Sequence, residues 1–494
     1  MLVSLFVEQS LMSRPLINNQ VSIISIPGQG YMTYNTYTWT IPSAITLPGG
    51  IKRENTYTPI MQLKSLNVKD PAQTALMSYN YDYSPAGNVT AKNTEQGNYA
   101  YQYDDIYRLT GATNPSVTES FTYDPVGNRL TSIDVHGDWS YNQNNELLSY
   151  NGVSFEYDPN GNIIGKTDQT GTTTLTYDVD NRLIQLVTPN SQLVTYYYDP
   201  FGRRLWKEVS GVRTYFFYSD EGLIGEYNAT GVEIKTYGYA PNSTWTTNPL
   251  FQKIGTNYYW YQNDHLGTPQ KITDGTGAIV WSGTYDSFGK TEVQIGAIEN
   301  NLRFPGQYFD QETGLYYNWN RYYDPKTGRY LTPDPIGQEG GINLFLYVAN
   351  NPLNSADPFG LEIRTDPKTG IPYMPQPKPY YPCGPLGCGY VECRITGDGR
   401  IVYGRTDLDP GRRICIDCNP VALVGCLTKL TPDLLMNCGI CIGSIIYGIW
   451  TGTGYYDCAA CAKCSSLLLY RMTGCLVDNC RIGKRDECGR CNYN

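Results

Sequence analysis

A tyrosine recurs through the first half of the 494-residue chain at nearly constant spacing. Successive copies are 16 to 21 residues apart, and most of them precede a polar turn. A repeat of this length indicates an array of small supersecondary units in place of one globular core. The chain length also exceeds the usual size of a single core, so we expect at least two folded units. The eight copies are Tyr83, Tyr103, Tyr123, Tyr141, Tyr157, Tyr177, Tyr198 and Tyr218.

The residues that follow each tyrosine predict a chain reversal. After Tyr123, the Asp124 side chain can accept hydrogen bonds at the first turn position, and Pro125 presets φ at the second. Gly127 then adopts the backbone conformation that strains other residues. Between such turns, β-branched and aromatic residues dominate, as in residues 172–177, and helix formers are few. Each repeat is therefore predicted to be a β-hairpin.

This pattern resembles the YD repeats of Rhs proteins, of the C component of Tc toxin complexes and of teneurins. The resemblance covers roughly residues 79–361, and it implies an all-β fold in which hairpins join into a long sheet that spirals into a hollow shell. We expect a partial β-cocoon followed by a small, Cys-rich, partly helical tail. The predicted domains are an N-terminal β segment or cap (1–60), the YD-repeat array (61–300), an Rhs-associated core (301–361), a Pro-rich linker (362–390) and a Cys-rich variable domain (391–494).

The end of the array carries the more specific signature. Residues 261–269 and 301–325 look like the Rhs-associated core, which in that family ends in a self-cleaving aspartic protease. The family enzyme cuts after the leucine of a Pro-x4-Asp-Pro-x-Gly-Leu motif, and residues 352–361 match every fixed position of it. The resemblance therefore implies a scissile bond between Leu361 and Glu362. It also implies that the catalytic residues are Asp334, Asp357 and Arg321.

The chemistry of such a site requires these residue types. Two carboxyl groups held close together cannot both ionise cheaply, so one keeps a proton while the other stays charged. One can activate water, and the other can protonate the carbonyl oxygen or the leaving amine. A guanidinium can hold down the pKa of one member or orient it through two hydrogen bonds.

The alternative interpretation is that both Asp-Pro-x-Gly units are only turns, as we expect for those at Asp124 and Asp199. The leucine-terminated motif, the 23-residue spacing of the two units and the presence of Arg321 together favour catalysis. Neither histidine, His136 or His265, has the neighbours of a hydrolase triad, and we expect a structural role for His265 in its turn.

Beyond Leu361 the composition changes. The chain carries 22 Lys+Arg against 34 Asp+Glu up to this residue and 15 against 12 after it, so the net charge changes from −12 to +3. All fifteen cysteines lie in the later part. Paired Cys-x2-Cys units have the spacing of zinc sites, and the run of three also fits an iron–sulfur cluster, although less well. The candidate ligands are Cys415, Cys418, Cys438, Cys441, Cys458, Cys461, Cys464, Cys488 and Cys491.

A disulfide-stapled tail is the competing interpretation, and it suits a protein that acts outside the cytosol, although an odd cysteine count leaves one thiol over. No cofactor is predicted for the shell itself. Residues 434–456 are uncharged and long enough to cross a bilayer, but their glycines favour a buried helix over membrane insertion. The weak positive charge of the tail has no basic cluster, so it supports nucleic-acid binding only slightly.

The sequence as a whole predicts an Rhs-type polymorphic toxin whose shell cleaves itself to release or encapsulate a Cys-rich effector. One rival is a non-enzymatic surface or adhesion protein with a stapled tail, and a second keeps the cleavage but makes the tail a zinc-binding structural module. Residues 1–15 show no Sec signal, so we expect secretion or surface display by another route after a cytoplasmic stage. About 30 strands would form a single ring about 45 Å across, which cannot seal in the tail. We therefore expect a shell-completing or delivery-system partner, and an immunity protein if the tail is toxic.

Overall fold

The computed structural model describes residues 21–39, 41–115, 117–132, 139–240 and 243–361, together with short strands outside these ranges. The chain divides into two compact units, Met1–Met374 and Pro375–Asn494. The first unit begins with a two-stranded hairpin formed by β1 (Leu16–Ile17) and β2 (Gln20–Val21).

Antiparallel strands that each pair with the next in sequence build most of the first unit. Strands from residues 23–57 belong to the same sheet as the first repeats, so the N-terminal region continues the array. The eleven strands of this sheet are β3 (Ile23–Ile26), β4 (Gly30–Thr38), β5 (Ile41–Thr46), β6 (Lys52–Tyr57), β7 (Leu63–Lys69), β8 (Ala75–Tyr83), β9 (Val89–Thr94), β10 (Gly97–Tyr103), β11 (Leu109–Thr113), β12 (Thr118–Tyr123) and β13 (Arg129–Ser132).

A sixteen-stranded sheet follows with the same sequential order. Its members are β14 (Ser140–Tyr141), β15 (Leu147–Tyr150), β16 (Val153–Tyr157), β17 (Ile163–Asp168), β18 (Gly171–Tyr177), β19 (Leu183–Val187), β20 (Leu193–Tyr198), β21 (Arg204–Val209), β22 (Val212–Ser219), β23 (Gly222–Asn228), β24 (Glu233–Gly238), β25 (Phe251–Ile254), β26 (Asn257–Asn263), β27 (Pro269–Thr273), β28 (Ile279–Tyr285) and β29 (Thr291–Gly296). A small sheet then contains β30 (Tyr308–Asp310), β31 (Leu315–Asn318), β32 (Arg321–Asp324) and β33 (Arg329–Tyr330).

The described residues contain no α-helix. They include three short 3-10 helices, Pro48–Gly50, Gly337–Gly340 and Val348–Asn350. Within that part of the chain, no helix has the length and apolarity needed to span a bilayer. After Leu361 the described strands are β34 (Arg364–Thr365), β35 (Pro372–Tyr373), β36 (Val391–Ile395), β37 (Ile401–Arg405), β38 (Ile414–Cys418), β39 (Cys480–Arg485) and β40 (Cys491–Tyr493). The all-β fold predicted for the array is therefore confirmed, and the predicted helical part of the tail lies outside the described residues.

The repeat tyrosines have one common structural role. Seven of the eight end a strand, Tyr218 is the penultimate residue of β22, and the strand register shifts at every one of them. All except Tyr177 donate a hydroxyl hydrogen bond to the first residue of the preceding strand, over 2.6 to 3.0 Å. Each of these seven tyrosines thus links its strand to the preceding one at the point where the ladder is interrupted.

The turns match the predicted chemistry. Oδ1 of Asp124 accepts hydrogen bonds from the amides of Val126 and Asn128, at 3.0 and 2.8 Å, and Gly127 has φ +88°. The same pattern recurs at Asp158, Asp199 and other repeat aspartates. His265 lies in such a turn, and its Nε2 donates to the Leu353 carbonyl at 2.8 Å, because a carbonyl oxygen can only accept a hydrogen bond. Burial lowers the pKa of this imidazole.

The two large sheets contact each other through buried side chains. The ring of Phe121 on β12 is 5.1 Å from that of Phe288, which lies in the turn between β28 and β29. Tyr79 Oη on β8 donates to the Gln270 side chain on β27 at 3.3 Å. Residues from the small sheet, including Tyr317 and Tyr322, join the core of the sixteen-stranded sheet. The small sheet is consequently anchored against a packed interior.

Candidate active site

A two-residue turn between β31 and β32 forms the base of the site. Asn318 ends β31, Arg321 begins β32, and Trp319 and Asn320 connect them. Trp319 has φ +45°, a conformation that costs a bulky residue energy and that persists only where the surroundings impose it. Its indole ring lies 5.7 Å from the ring of Phe359, so the strained residue faces the predicted cleavage loop.

The polar members of this turn bind the main chain of that loop. Asn318 Nδ2 donates to the carbonyl of Asp357 at 2.8 Å, and Asn320 Nδ2 donates to that of Phe359 at 2.9 Å. Nε of Arg321 donates to the Gly360 carbonyl at 2.7 Å. Because three of the four carbonyls of residues 357–360 accept hydrogen bonds from this turn, the backbone leading to Leu361 has a fixed path.

Two glycines allow this close approach. A Cβ at Gly306 would overlap the carbonyl of Pro358, and a Cβ at Gly360 would overlap that of Asn318. Both glycines also have positive φ, +82° and +63°. Main-chain atoms cannot move aside as a flexible side chain can, so both positions require glycine.

Arg321 brings the two predicted catalytic aspartates together. Its Nη2 lies 2.8 Å from Oδ2 of Asp334 and 3.4 Å from Oδ2 of Asp357. Nη1 donates to the carbonyl of Leu344 at 3.0 Å, and the arginine is only 3% exposed. A single buried guanidinium nitrogen thus contacts both carboxyl groups and holds them close to each other.

Asp357 is held at both of its oxygens. Oδ1 accepts the amide hydrogen of Leu361 at 2.9 Å, and Oδ2 accepts the hydroxyl hydrogen of Tyr330 at 2.7 Å. Burial raises the pKa of Asp357 to about 6, with a smaller increase from the charge of Asp334, while Arg321, Tyr330 and the Leu361 amide oppose the rise. Asp357 therefore exchanges a proton near physiological pH, as an acid–base catalyst must.

The sequence contains a control for this environment. Residues 199–202 and 357–360 are both Asp-Pro-Phe-Gly, and both aspartates accept a main-chain amide through Oδ1. In the array, Oδ2 of Asp199 pairs at 2.7 Å with Nε of Arg203 in its own turn. In the core, Oδ2 of Asp357 faces Arg321 and Tyr330 instead. The turn interpretation is thus right about local conformation, and the tertiary contacts distinguish the two sites.

The remaining predicted sites are only partly described. Leu361 is placed beside Asp357, whereas Glu362 lies outside the described residues. Cys415 and Cys418 are in β38, and Cys418 is the register partner of Cys480 in β39. Cys491 is in β40, and the other cysteine candidates and residues 434–456 fall outside the described part of the chain. Zinc, disulfide and membrane roles for the tail remain predictions.

Sequence reasoning missed Tyr330, which donates to the Asp357 carboxylate, Asn318, which donates to the Asp357 main-chain carbonyl, and the packing role of Gly306. Tyr330 precedes Asp334 by four residues, and Asn318 lies three residues before Arg321. Their proximity to the motif residues was the available signal. Many tyrosines and asparagines elsewhere in the chain have the same local appearance, so this signal was weak.

With this geometry established, comparison with known proteins identifies the family. The Teneurin YD-shell family model matches residues 35–352. The chain belongs to this family. A crystal structure of the TcdB2–TccC3 complex has a similar YD-shell fold, with a TM-score of 0.57 and 20% identity over 69% of this chain and 20% of that one.

Two curated relatives are toxins or nucleases by name. The YD-shell chain is 33% identical over 321 residues to the double-stranded DNA deaminase toxin A of Burkholderia cenocepacia, which corresponds to 57% of this chain and 22% of the relative. It is 32% identical over 276 residues to the tRNA nuclease WapA of Bacillus subtilis, which corresponds to 52% of this chain and 12% of the relative. The matched part thus spans less than a quarter of either relative.

Proposed function

We propose that this YD-shell chain is an Rhs-type toxin that cuts itself once, between Leu361 and Glu362, and so releases the Cys-rich segment as an effector. One observation carries the proposal: Oδ2 of both Asp334 and Asp357 faces Nη2 of Arg321. The Leu361 amide, which belongs to the residue before the expected scissile bond, is hydrogen-bonded to one of these carboxyl groups.

The two carboxyl groups have different roles in this proposal. Asp334, at 2.8 Å from the guanidinium, is the carboxylate that removes a proton from water. The water oxygen attacks the Leu361 carbonyl carbon while Asp357, whose raised pKa lets it hold a proton, donates that proton to the carbonyl oxygen. Collapse of the intermediate breaks the C–N bond: the proton taken by Asp334 passes to the leaving amine, and one of the two hydroxyl groups of the intermediate returns a proton to Asp357. One water is consumed, both aspartates recover their initial protonation states, and the new Leu361 carboxylic acid loses its proton to the Glu362 amine.

The relatives support an effector role for the released segment. The double-stranded DNA deaminase toxin and the tRNA nuclease each match more than half of this chain. We propose that the segment after Leu361 is the part that acts on a target, with zinc or disulfides stabilising it and, if residues 434–456 insert, a membrane as a further contact. A toxic segment implies an immunity protein in the producing cell.

The packing of the array bears on how the effector is carried. Phe121 and Phe288 are in contact where the two large sheets meet, and both belong to a buried cluster of aliphatic and aromatic side chains. We propose that a partner chain completes the enclosure or delivers the protein, and that export follows a route other than Sec.

Intact mass spectrometry of the full-length chain tests the cleavage. The wild type should separate into residues 1–361 and 362–494, while Asp334→Asn and Asp357→Asn stay whole. The matched control is Asp199→Asn, because Asp199 occupies the same Asp-Pro-Phe-Gly turn but does not face Arg321. This control should cleave like the wild type. A wild-type chain that stays whole, or an Asp357→Asn chain that cleaves normally, would reject the proposal.

A further inference from the structure

Tyr330 contacts both charged partners of the site. It ends β33, is 1% exposed and lies four residues before Asp334. Its ring centroid is 3.6 Å from the guanidinium carbon of Arg321, and its hydroxyl is 2.7 Å from Oδ2 of Asp357. The mechanism proposed above assigns no role to this side chain.

The direction of the hydroxyl proton follows from the neighbouring amide. Nδ2 of Asn318 lies 2.8 Å from the Asp357 carbonyl oxygen, which can only accept a hydrogen bond, so the amide nitrogen must face this group. The other hydrogen of the same Nδ2 is donated to the Tyr330 oxygen at 2.9 Å. Because the hydroxyl has one proton and its oxygen already accepts a hydrogen bond, that proton is directed at Asp357.

We infer that Tyr330 is a positioning residue for self-cleavage, whose hydroxyl fixes Oδ2 of Asp357 and whose ring holds Arg321 between the two carboxyl groups. This inference rests on the proposed function. The stacked ring restricts the guanidinium to one plane, in which Nη2 reaches Asp334 and Asp357 together. The hydroxyl fixes the Asp357 carboxyl group, which cannot then rotate freely away from Leu361.

The hydroxyl also affects how tightly Asp357 holds its proton. The groups that face Asp357 are Arg321 on β32, Tyr330 on β33, and Asp334 and Tyr347 on the following loops. Among them, Tyr330 is an uncharged donor that stabilises the carboxylate form and lowers the pKa of Asp357. Without this donor, Asp357 should keep its proton to higher pH, whereas a purely structural tyrosine would leave the titration unchanged.

The decisive experiment compares Tyr330→Phe with the wild type. Whole chains recovered unfolded in urea are diluted into reducing buffers between about pH 4 and about pH 8, and intact mass spectrometry follows the cleaved fraction with time. Tyr330→Phe keeps the ring that stacks on Arg321 and removes only the hydroxyl. We expect the alkaline limb of its rate profile to move upward by about one pH unit, which corresponds to loss of one hydrogen bond to a charged group. We also expect the plateau rate to fall about tenfold because Asp357 is less well oriented.

Tyr323→Phe is the matched control. Tyr323 lies in the same aromatic cluster and donates a hydroxyl hydrogen bond of 2.7 Å to the Phe288 carbonyl, but it makes no hydrogen bond to Asp357. This variant should show the wild-type profile even if it is less stable. If Tyr330→Phe does not refold, Tyr330 can be replaced by 3-fluorotyrosine, which keeps the shape of the side chain and makes its hydroxyl a stronger hydrogen-bond donor. The alkaline limb of the rate profile should then move to lower pH.

The outcomes separate the inference from the proposed function. If the wild type cleaves and the pH–rate profile of Tyr330→Phe is not shifted from that of the wild type, the role of Tyr330 is overturned. The proposed self-cleavage is unaffected by that result. An unshifted 3-fluorotyrosine profile has the same meaning. A wild-type chain that stays whole at every pH overturns the proposed function and this inference with it.

Discussion

Nη2 of Arg321 lies 2.8 Å from Oδ2 of Asp334, and this contact makes the two carboxyl groups of the site unequal. The same nitrogen is 3.4 Å from Asp357, whose pKa burial raises to about 6. Asp334 therefore has the closer positive partner, and Asp357 is the carboxyl group that holds a proton up to about pH 6. A pair of this kind has the division of charge that acid–base hydrolysis requires.

Replacement of Arg321 by lysine should nearly stop self-cleavage. Lysine keeps a positive charge but lacks the planar fork that contacts the Gly360 carbonyl and both carboxyl groups. We expect cleavage to slow by at least about a hundredfold, measured as the cleaved fraction by intact mass spectrometry. Arg203→Lys, which alters the arginine paired with Asp199 in the array, is the control and should cleave normally. Equal rates in the two variants would show that the fork is unnecessary.

The cleavage rate should depend on pH through Asp357. If Asp357 donates a proton, the active fraction falls about tenfold for each pH unit above its pKa. Since that pKa is raised to about 6, the rate should be high below this value and should decline between pH 6 and pH 8. Refolding the urea-unfolded chain at a series of pH values and quenching at fixed times measures the profile. A rate that rises toward pH 8 would contradict the assigned role.

Gly306→Ala should block cleavage without unfolding the array. The new methyl group would overlap the Pro358 carbonyl and displace the loop that carries Asp357. Gly314→Ala is the matched control, because Gly314 has a similar φ, +74°, but open space around its Cβ position. Both variants carry the backbone strain of about 1 to 2 kcal/mol, whereas only Gly306→Ala carries the overlap. Equal cleavage in the two would show that the close approach to Pro358 is not required.

The two Asp-Pro-Phe-Gly segments show what the sequence could and could not predict. Local chemistry determines the turn, so the hairpins of the array and the turn at Asp357 were predictable from residue types alone. The second carboxylate oxygen, Oδ2, contacts Arg203 at Asp199, whereas at Asp357 it contacts Arg321 and Tyr330. The latter contacts span 36 and 27 residues and depend on how the small sheet packs, which no local pattern specifies.

The repeat tyrosines illustrate the same limit. Their spacing and the turns that follow them predicted the hairpins but no partner for the tyrosine hydroxyls. The hydroxyl bond to the preceding strand depends on the register shift at each tyrosine, and a shift of one residue turns every side chain to the other face. That shift is a property of paired strands, so it could not be obtained from one strand's sequence.

Removal of the hydroxyl group of a repeat tyrosine should lower stability only where that hydroxyl makes a hydrogen bond. Tyr123→Phe loses the 2.7 Å bond to the Leu109 carbonyl and should lower the free energy of unfolding by about 1 kcal/mol. Tyr177→Phe is the matched control, because the buried hydroxyl of Tyr177 makes no hydrogen bond, and its removal should be neutral or stabilising. Urea unfolding of the uncleaved Asp334→Asn chain measures both. Equal losses would show that the hydroxyl bonds do not stabilise the array.

A second acidic pair, where the two large sheets meet, should make the array less stable as the pH rises. Burial, together with the charge of Glu119, raises the pKa of Asp286 to about 7, while Glu119 accepts hydrogen bonds from the amide and hydroxyl of Ser287. Between about pH 4 and 7 the unfolded chain releases a proton that the folded chain retains, so the free energy of unfolding falls by up to roughly 1.4 kcal/mol per pH unit.

Asp286→Asn removes this penalty, so its advantage over the wild type in urea unfolding should be small at pH 4 and grow toward pH 8. Asp274→Asn is the control of opposite sign. Burial makes the largest single contribution and raises the pKa of Asp274, but the hydrogen bonds from its turn together outweigh it and lower the pKa, so this variant should lose stability above pH 4. An advantage of Asp286→Asn that does not change with pH would mean that Asp286 carries no retained proton in the folded chain.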